Sequence, residues 1–164
     1  DLEQWTKEVD GATRAWVYPQ YNGPGTVAVY FVRDGQSPIT PTAGQIATVL
    51  AYLTSHTDAL GQITGAPVTM LPGLFVDAPV LVQLNFTIKL YPNTADVQTT
   101  VQAQLVDLIY REAYPGQTLY LSRIQEAISA AIGEERSAIV TPASDVALAY
   151  NEVGQLGTIT WQAY

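Results

Sequence analysis

Hydrolytic or acyl-transfer chemistry requires a base beside a nucleophile, and this 164-residue chain offers little choice: one histidine, His56, and no cysteine. His56 falls at the end of a predicted helix, where the dipole favours a histidine whether or not it has a chemical task. No Gly-x-Ser-x-Gly elbow is present. Gly23-Pro24-Gly25 lacks the further glycines, the Lys and the Ser/Thr of a phosphate-binding loop, so it reads as a turn. Paired carboxylates fare no better: Asp107 and Glu112 stand too far apart on a predicted helix to share a face, and Glu134-Glu135 follow a helix stop in a solvated loop. Lack of cysteine removes thiolate, disulfide and Cys-ligated zinc chemistry, a lone histidine cannot build a multi-histidine metal site, and no calcium loop occurs. The expectation is a protein that is not an enzyme, with no catalytic residues, no cofactor, no metal and no small-molecule substrate.

Contacts are the better prospect. Charged residues make up 13% of the chain, against roughly 25% in an average soluble domain, while apolar residues make up 48%. Fifteen acids against seven bases give a formal charge of -8, and the bases are scattered from Lys7 to Arg136, so no phosphate-binding cluster forms and no nucleic acid partner is expected. No apolar run approaches the roughly 20 residues of a membrane span, and no membrane insertion is expected. Eighteen Thr, thirteen Gln and ten Tyr imply a surface that hydrogen-bonds without charge, as large protein interfaces do. Trp16 and Tyr18 share a strand face and are expected to pack internally. Trp5, placed before any predicted element, and Tyr21 are the interface candidates.

The elements that would position these residues follow from period and punctuation. Residues 12–18 and 26–33, rich in β-branched and aromatic types, read as antiparallel strands around Asn22-Gly23-Pro24-Gly25. Thr42-x-x-Gln45 has the form of a capping box, and Ile46, Val49, Leu50 and Leu53 form an inward stripe on a helix over 43–55. A third strand is expected at 66–71. From Val80 to Leu90 apolar and polar residues alternate, with only Leu81 out of step, which predicts a strand with one buried face. Pro92-Asn93-Thr94 stops it and offers a cap for a helix carrying Val97, Val101, Leu105, Leu108 and Ile109, to about Glu112. Ser122-x-x-Gln125 reads as a second capping box, opening a helix over 123–132 with Ile124, Ala127, Ile128, Ala131 and Ile132 inward. Strands at 137–141 and 157–161 close the chain. The fold class is α+β: two small subdomains, 1–75 (β-β-α-β) and 76–164 (β-α-α-β-β), each a mainly antiparallel or mixed sheet with helices on one face.

Read in order, Gly11-Ala-Thr-Arg-Ala-Trp-Val-Tyr-Pro19, Gly25-Thr-Val-Ala-Val-Tyr-Phe-Val-Arg33, Ala78-Pro79-Val80 before the alternating strand, Leu121-Ser-Arg-Ile-x-Glu-Ala-Ile128 and Leu156-Gly-Thr-Ile-Thr-Trp161 resemble the C-terminal part of baseplate J-like proteins, tail components of Mu-like contractile phages. The resemblance implies a structural role in the wedges of a contractile-tail baseplate, with other wedge proteins and copies of itself as partners. It also implies residence in the virion tail after assembly in the host cytoplasm. It suggests that the gene product continues upstream of Asp1, which is not a methionine. Arg123 and Glu126, matched positions on the second-half helix, would pair with each other at i, i+3 or contact a neighbour. Trp5 and Tyr21 would instead stack on sugars if the chain were a cell-surface or carbohydrate-binding adhesin, and a cell-wall hydrolase of the tail would need the acid/base pair that is missing.

The alternation makes one stability prediction. In urea or thermal unfolding, Phe86→Ala should cost about 3–5 kcal/mol and Asn85→Ala less than roughly 1; equal losses would mean that the faces are assigned wrongly.

Overall fold

The computed structural model describes residues 1–164, and the chain divides into two units, Asp1–Val80 and Leu81–Tyr164. The first opens with a helix, α1 (Leu2–Glu8), that sequence patterning did not anticipate. It has a physical basis: Lys7 reaches back to Glu3 at 2.9 Å, and Leu2, Trp5 and Val9, at helical spacing, pack against the core. β1 (Arg14–Pro19) and β2 (Val27–Val32) pair antiparallel, Arg14 opposite Val32 and Pro19 opposite Val27.

The helix α2 (Ala43–Thr54) starts at the expected capping box: the Thr42 hydroxyl accepts from the Gln45 N–H, and the Gln45 side chain accepts from the Thr42 N–H at 2.7 Å. Val49 and Leu53 are buried and Ile46 half-buried, but Leu50, expected inward, is 37% exposed. The buried line runs between Val49 and Leu53, which leaves Leu50 on the flank. After α2 comes a short hairpin, β3 (His56–Thr57) with β4 (Ile63–Thr64). The strand expected at 66–71 is not there. Pro67 and Pro72 cannot donate to a ladder, and the segment turns instead into a 3₁₀ helix at Leu71–Gly73. The strand follows as β5 (Leu74–Asp77), parallel to β2, so α2 lies within the crossover that a parallel pair needs. Ala15, Val29, Phe31, Leu74 and Val76 project from one sheet face onto Val49 and Leu53.

In the second unit the expected alternation is present: β6 (Val80–Tyr91) buries Leu84, Phe86, Ile88 and Leu90, while Gln83, Asn85 and Lys89 are exposed and Thr87 half-buried. The pattern departs at its start, where Val80 is exposed and Val82 half-buried. β8 (Arg136–Thr141) pairs antiparallel with β6 from Tyr91 to Thr87, and β10 (Glu152–Ala163) lies on the other edge. All five stripe residues of α3 (Ala95–Glu112) are buried, and Thr94 caps it, its hydroxyl accepting from the Val97 N–H. β7 (Thr118–Leu119) and β9 (Val146–Ala147) add a short pair. Asn85 is not a purely solvated residue: its Oδ1 accepts from the Thr158 N–H at 2.8 Å, which brings its truncation cost up toward about 1 kcal/mol, still a fraction of that for Phe86.

The capping box at Ser122 is a correction. α4 runs from Leu121 to Ser129 with Tyr120 at its cap position and no side-chain cap there. Asp145, from the segment between β8 and β9, instead accepts from the Leu121 N–H at 2.8 Å, and Gln125 turns away to bond Ser137 on β8. A carboxylate arriving from elsewhere meets both the unpaired first-turn donors and the helix dipole, which a serine one position inside the helix does not. The helix also ends three residues earlier than expected, so Ile132, read as inward, is 83% exposed. Asp145→Ala should therefore destabilise by about 1 kcal/mol in chemical denaturation while Ser122→Ala is near neutral; the reverse order would restore the local capping box.

Candidate interaction surfaces

The four positions singled out from sequence lie at three places. Trp5 stands on α1, half-buried against the first core, with its ring edge-on to His56 at 5.1 Å. His56 is buried: its ring stacks on Tyr52 at 4.0 Å, and its Nδ1 lies 2.8 Å from the Tyr52 carbonyl. The Tyr52 hydroxyl in turn donates to Glu8 on α1 at 2.9 Å, so the lone histidine joins α1 to the end of α2.

Tyr21 belongs to the opposite face of the first sheet. There Tyr30 is only 5% exposed, under Tyr21 in an edge-on contact at 6.0 Å and Tyr18 at 6.3 Å. Burial, followed by the neighbouring Tyr21, pushes the Tyr30 phenol up to about 12, so it stays neutral. Tyr21 itself is 38% exposed. Trp16 and Tyr18 do share a face, as expected, but it is this one and not the helix-covered core, and both remain half-buried. Arg14 lies 5.4 Å from the Trp16 ring and holds Asp34 through paired 2.8 Å hydrogen bonds, with Thr13 donating to the same carboxylate at 2.6 Å. Burial would raise the Asp34 pKa; the bonds from Arg14 and Thr13, with the Arg14 charge, outweigh it and hold the carboxyl below its ordinary 3.8.

Arg123 and Glu126 project from α4 and pair with each other, as the i, i+3 spacing suggests. Sequence spacing missed the stronger partner. Glu112, at the end of α3, takes Arg123 on both Nε and Nη2, with Nε at 2.9 Å, and thereby links the two helices. Asp107 is likewise committed, accepting from Arg111 at 2.9 Å, so both acids of the pair considered for catalysis are engaged by arginines.

Residues 1–72 match the Baseplate J-like central domain and residues 82–162 the Baseplate J-like protein C-terminal domain. The chain belongs to the baseplate J-like family. It is 38% identical over 98% of its length to the Mu-like prophage FluMu protein gp47 of Haemophilus influenzae, 35% to the JayE protein of Escherichia coli and 33% to the baseplate protein gp47 of Escherichia phage Mu. These alignments cover 45%, 57% and 44% of the three relatives, so the chain spans about half the length of the curated relatives it matches. The two domains are those of phage baseplate structural proteins. Two glycines of the baseplate J-like motifs have a steric reason. Gly11 adopts φ +87° with the Arg33 guanidinium where a Cβ would sit, and a Cβ on Gly157 would fall 2.1 Å from Asn85 Oδ1.

Because the folded Asp34 pKa is depressed, its pairing contributes stability that is present above the unfolded value and lost as pH falls through the folded one. Asp34→Asn should cost about 1–2 kcal/mol at pH 7 and less at acid pH, flattening the decline of stability below about pH 4. Parallel acid-unfolding curves for variant and parent would show that Arg14 does not bind the carboxylate in solution.

Proposed function

We propose that these two domains serve as part of the framework of a phage or prophage contractile-tail baseplate, in the wedge, through protein–protein contacts and without catalysing a reaction. The observation that carries this is the match of both domains, in order, to a set of proteins that includes the Mu baseplate protein. The surface chemistry supports it: a charge-poor exterior rich in Thr, Gln and Tyr exchanges water for neighbouring subunits at low desolvation cost. The partners in this reading are other wedge proteins and further copies of the chain, met after synthesis in the host cytoplasm.

Within that role Trp5 and Tyr21 are contact positions of the first unit, each a partly exposed aromatic backed by a buried ring. Aromatics held in this way lose little freedom on docking. Arg123 and Glu126 are contact positions of the second unit, prepositioned by Glu112 and by each other. On a surface this exposed the pairs themselves contribute little to stability.

The test is to tag the protein in its native phage or prophage, induce tail production and purify tail particles. Recovery in intact particles, with neighbouring tail proteins copurifying and with loss of particles when the gene is deleted, is expected. Absence from purified tails, or normal tails without the gene, would overturn the reading.

A further inference from the structure

We propose that the cleft between α1 and the β3–β4 hairpin receives an arginine side chain from a neighbouring protein. The proposal rests on the baseplate reading only for the source of that neighbour. The cleft has a volume of about 440 Å³, and Trp5, Glu8, Tyr52, His56, Asp58 and Leu60 are among the residues that line it.

Its hydrogen-bonding capacity is weighted toward acceptors. An ionised carboxylate offers about four acceptor sites. Glu8 uses one on the Tyr52 hydroxyl and a long one, 3.3 Å, on Gln4. Asp58 commits Oδ1 to the N–H groups of Leu60 and Gln62, which fixes the carboxylate in place and leaves Oδ2 for a ligand. His56 adds a third acceptor in its neutral tautomer: Nδ1 faces a backbone carbonyl, which can only accept, so that tautomer carries its proton on Nδ1 and keeps Nε2 as a lone pair.

No Lys or Arg lines the cleft, and Lys7, the nearest base in sequence, is turned to Glu3. Two carboxylates therefore stand there uncompensated, in a chain whose formal charge of -8 already attracts cations. The walls are π-rich, with Tyr52 flat on His56 and Trp5 edge-on to it, and such rings attract a cation. Guanidinium fits this combination better than ammonium. It carries five donors and no acceptor, its plane matches carboxylates, and it is weakly hydrated enough to lie against rings. A sugar fits less well, because it brings as many acceptors as donors to a cleft weighted toward acceptors. The cleft is larger than one guanidinium, and Leu60 and Ile63 on the hairpin, 85% and 82% exposed, offer apolar grip beside it. The occupant is thus an arginine flanked by apolar residues.

The 164-residue chain, labelled with ¹⁵N, can be titrated with the peptide Ac-Leu-Arg-Leu-NH₂ and with the same peptide carrying citrulline, which has the shape of arginine without its charge. The Trp5 indole N–H should shift saturably with the arginine peptide alone. Glu8→Gln, at an exposed position, should weaken that response about fivefold or more while leaving the spectrum away from the cleft unchanged. Tyr52→Phe, which keeps the ring and releases Glu8, should weaken it less. Equal responses to both peptides, no response to either, or a Trp5 shift with an N-acetylglucosamine trisaccharide but not with arginine would each overturn the assignment. Loss of the arginine response in a protein that is recovered in tail particles would remove the cleft's role and leave the baseplate role standing.

Discussion

The second unit depends on one seam. Leu84, Phe86, Ile88 and Leu90 on β6 meet Val101, Leu105 and Leu108 on α3 and Ile124 and Ile128 on α4, nearly all shielded from water. Each side chain of this size contributes roughly 1.5–3 kcal/mol on burial, whereas an exposed ion pair such as Arg123 with Glu126 contributes little. The sheet's other strands, the cap on α4 and the Arg123 link all act on elements that this seam has already placed. The first unit uses the same device on a smaller scale, with Val29, Phe31, Leu74 and Val76 under α2 and α1.

What was legible in sequence follows from how local each cause is. The α3 stripe and the β6 alternation are written in consecutive residues, and both match the burial seen. The α4 cap is not legible in sequence because its cause is not local: Asp145 is 24 residues away, and nothing at Ser122 signals that the backbone donors look elsewhere. Glu112 was missed as the partner of Arg123 for the same reason, since its reach from α3 to α4 exists only once the helices pack. The strand expected at 66–71 fails for a local reason: Pro67 and Pro72 withhold ladder donors and outweigh the β-propensity of their neighbours. Of the interaction positions, exposure and type could suggest Trp5 and Tyr21, but the rings behind them, His56 and Tyr30, are brought there by tertiary structure.

The low charge also has a structural meaning. Of the seven bases, Lys7, Arg14, Arg111 and Arg123 are held by acids of the same unit, and Arg136 lies over the rings of Tyr91 and Tyr164. Positive charge is thus largely consumed within the fold, and the surplus on the surface is acidic. Two copies of such a chain repel at long range, so contact between them has to rely on neutral hydrogen bonds and aromatic burial at short range. A different protein bringing basic side chains meets no such barrier. Attraction then speeds its approach and fixes its orientation, more than it deepens the final affinity. An excess of one sign on a charge-poor surface thus favours a basic partner during approach, while contact between copies rests on short-range burial and neutral hydrogen bonds.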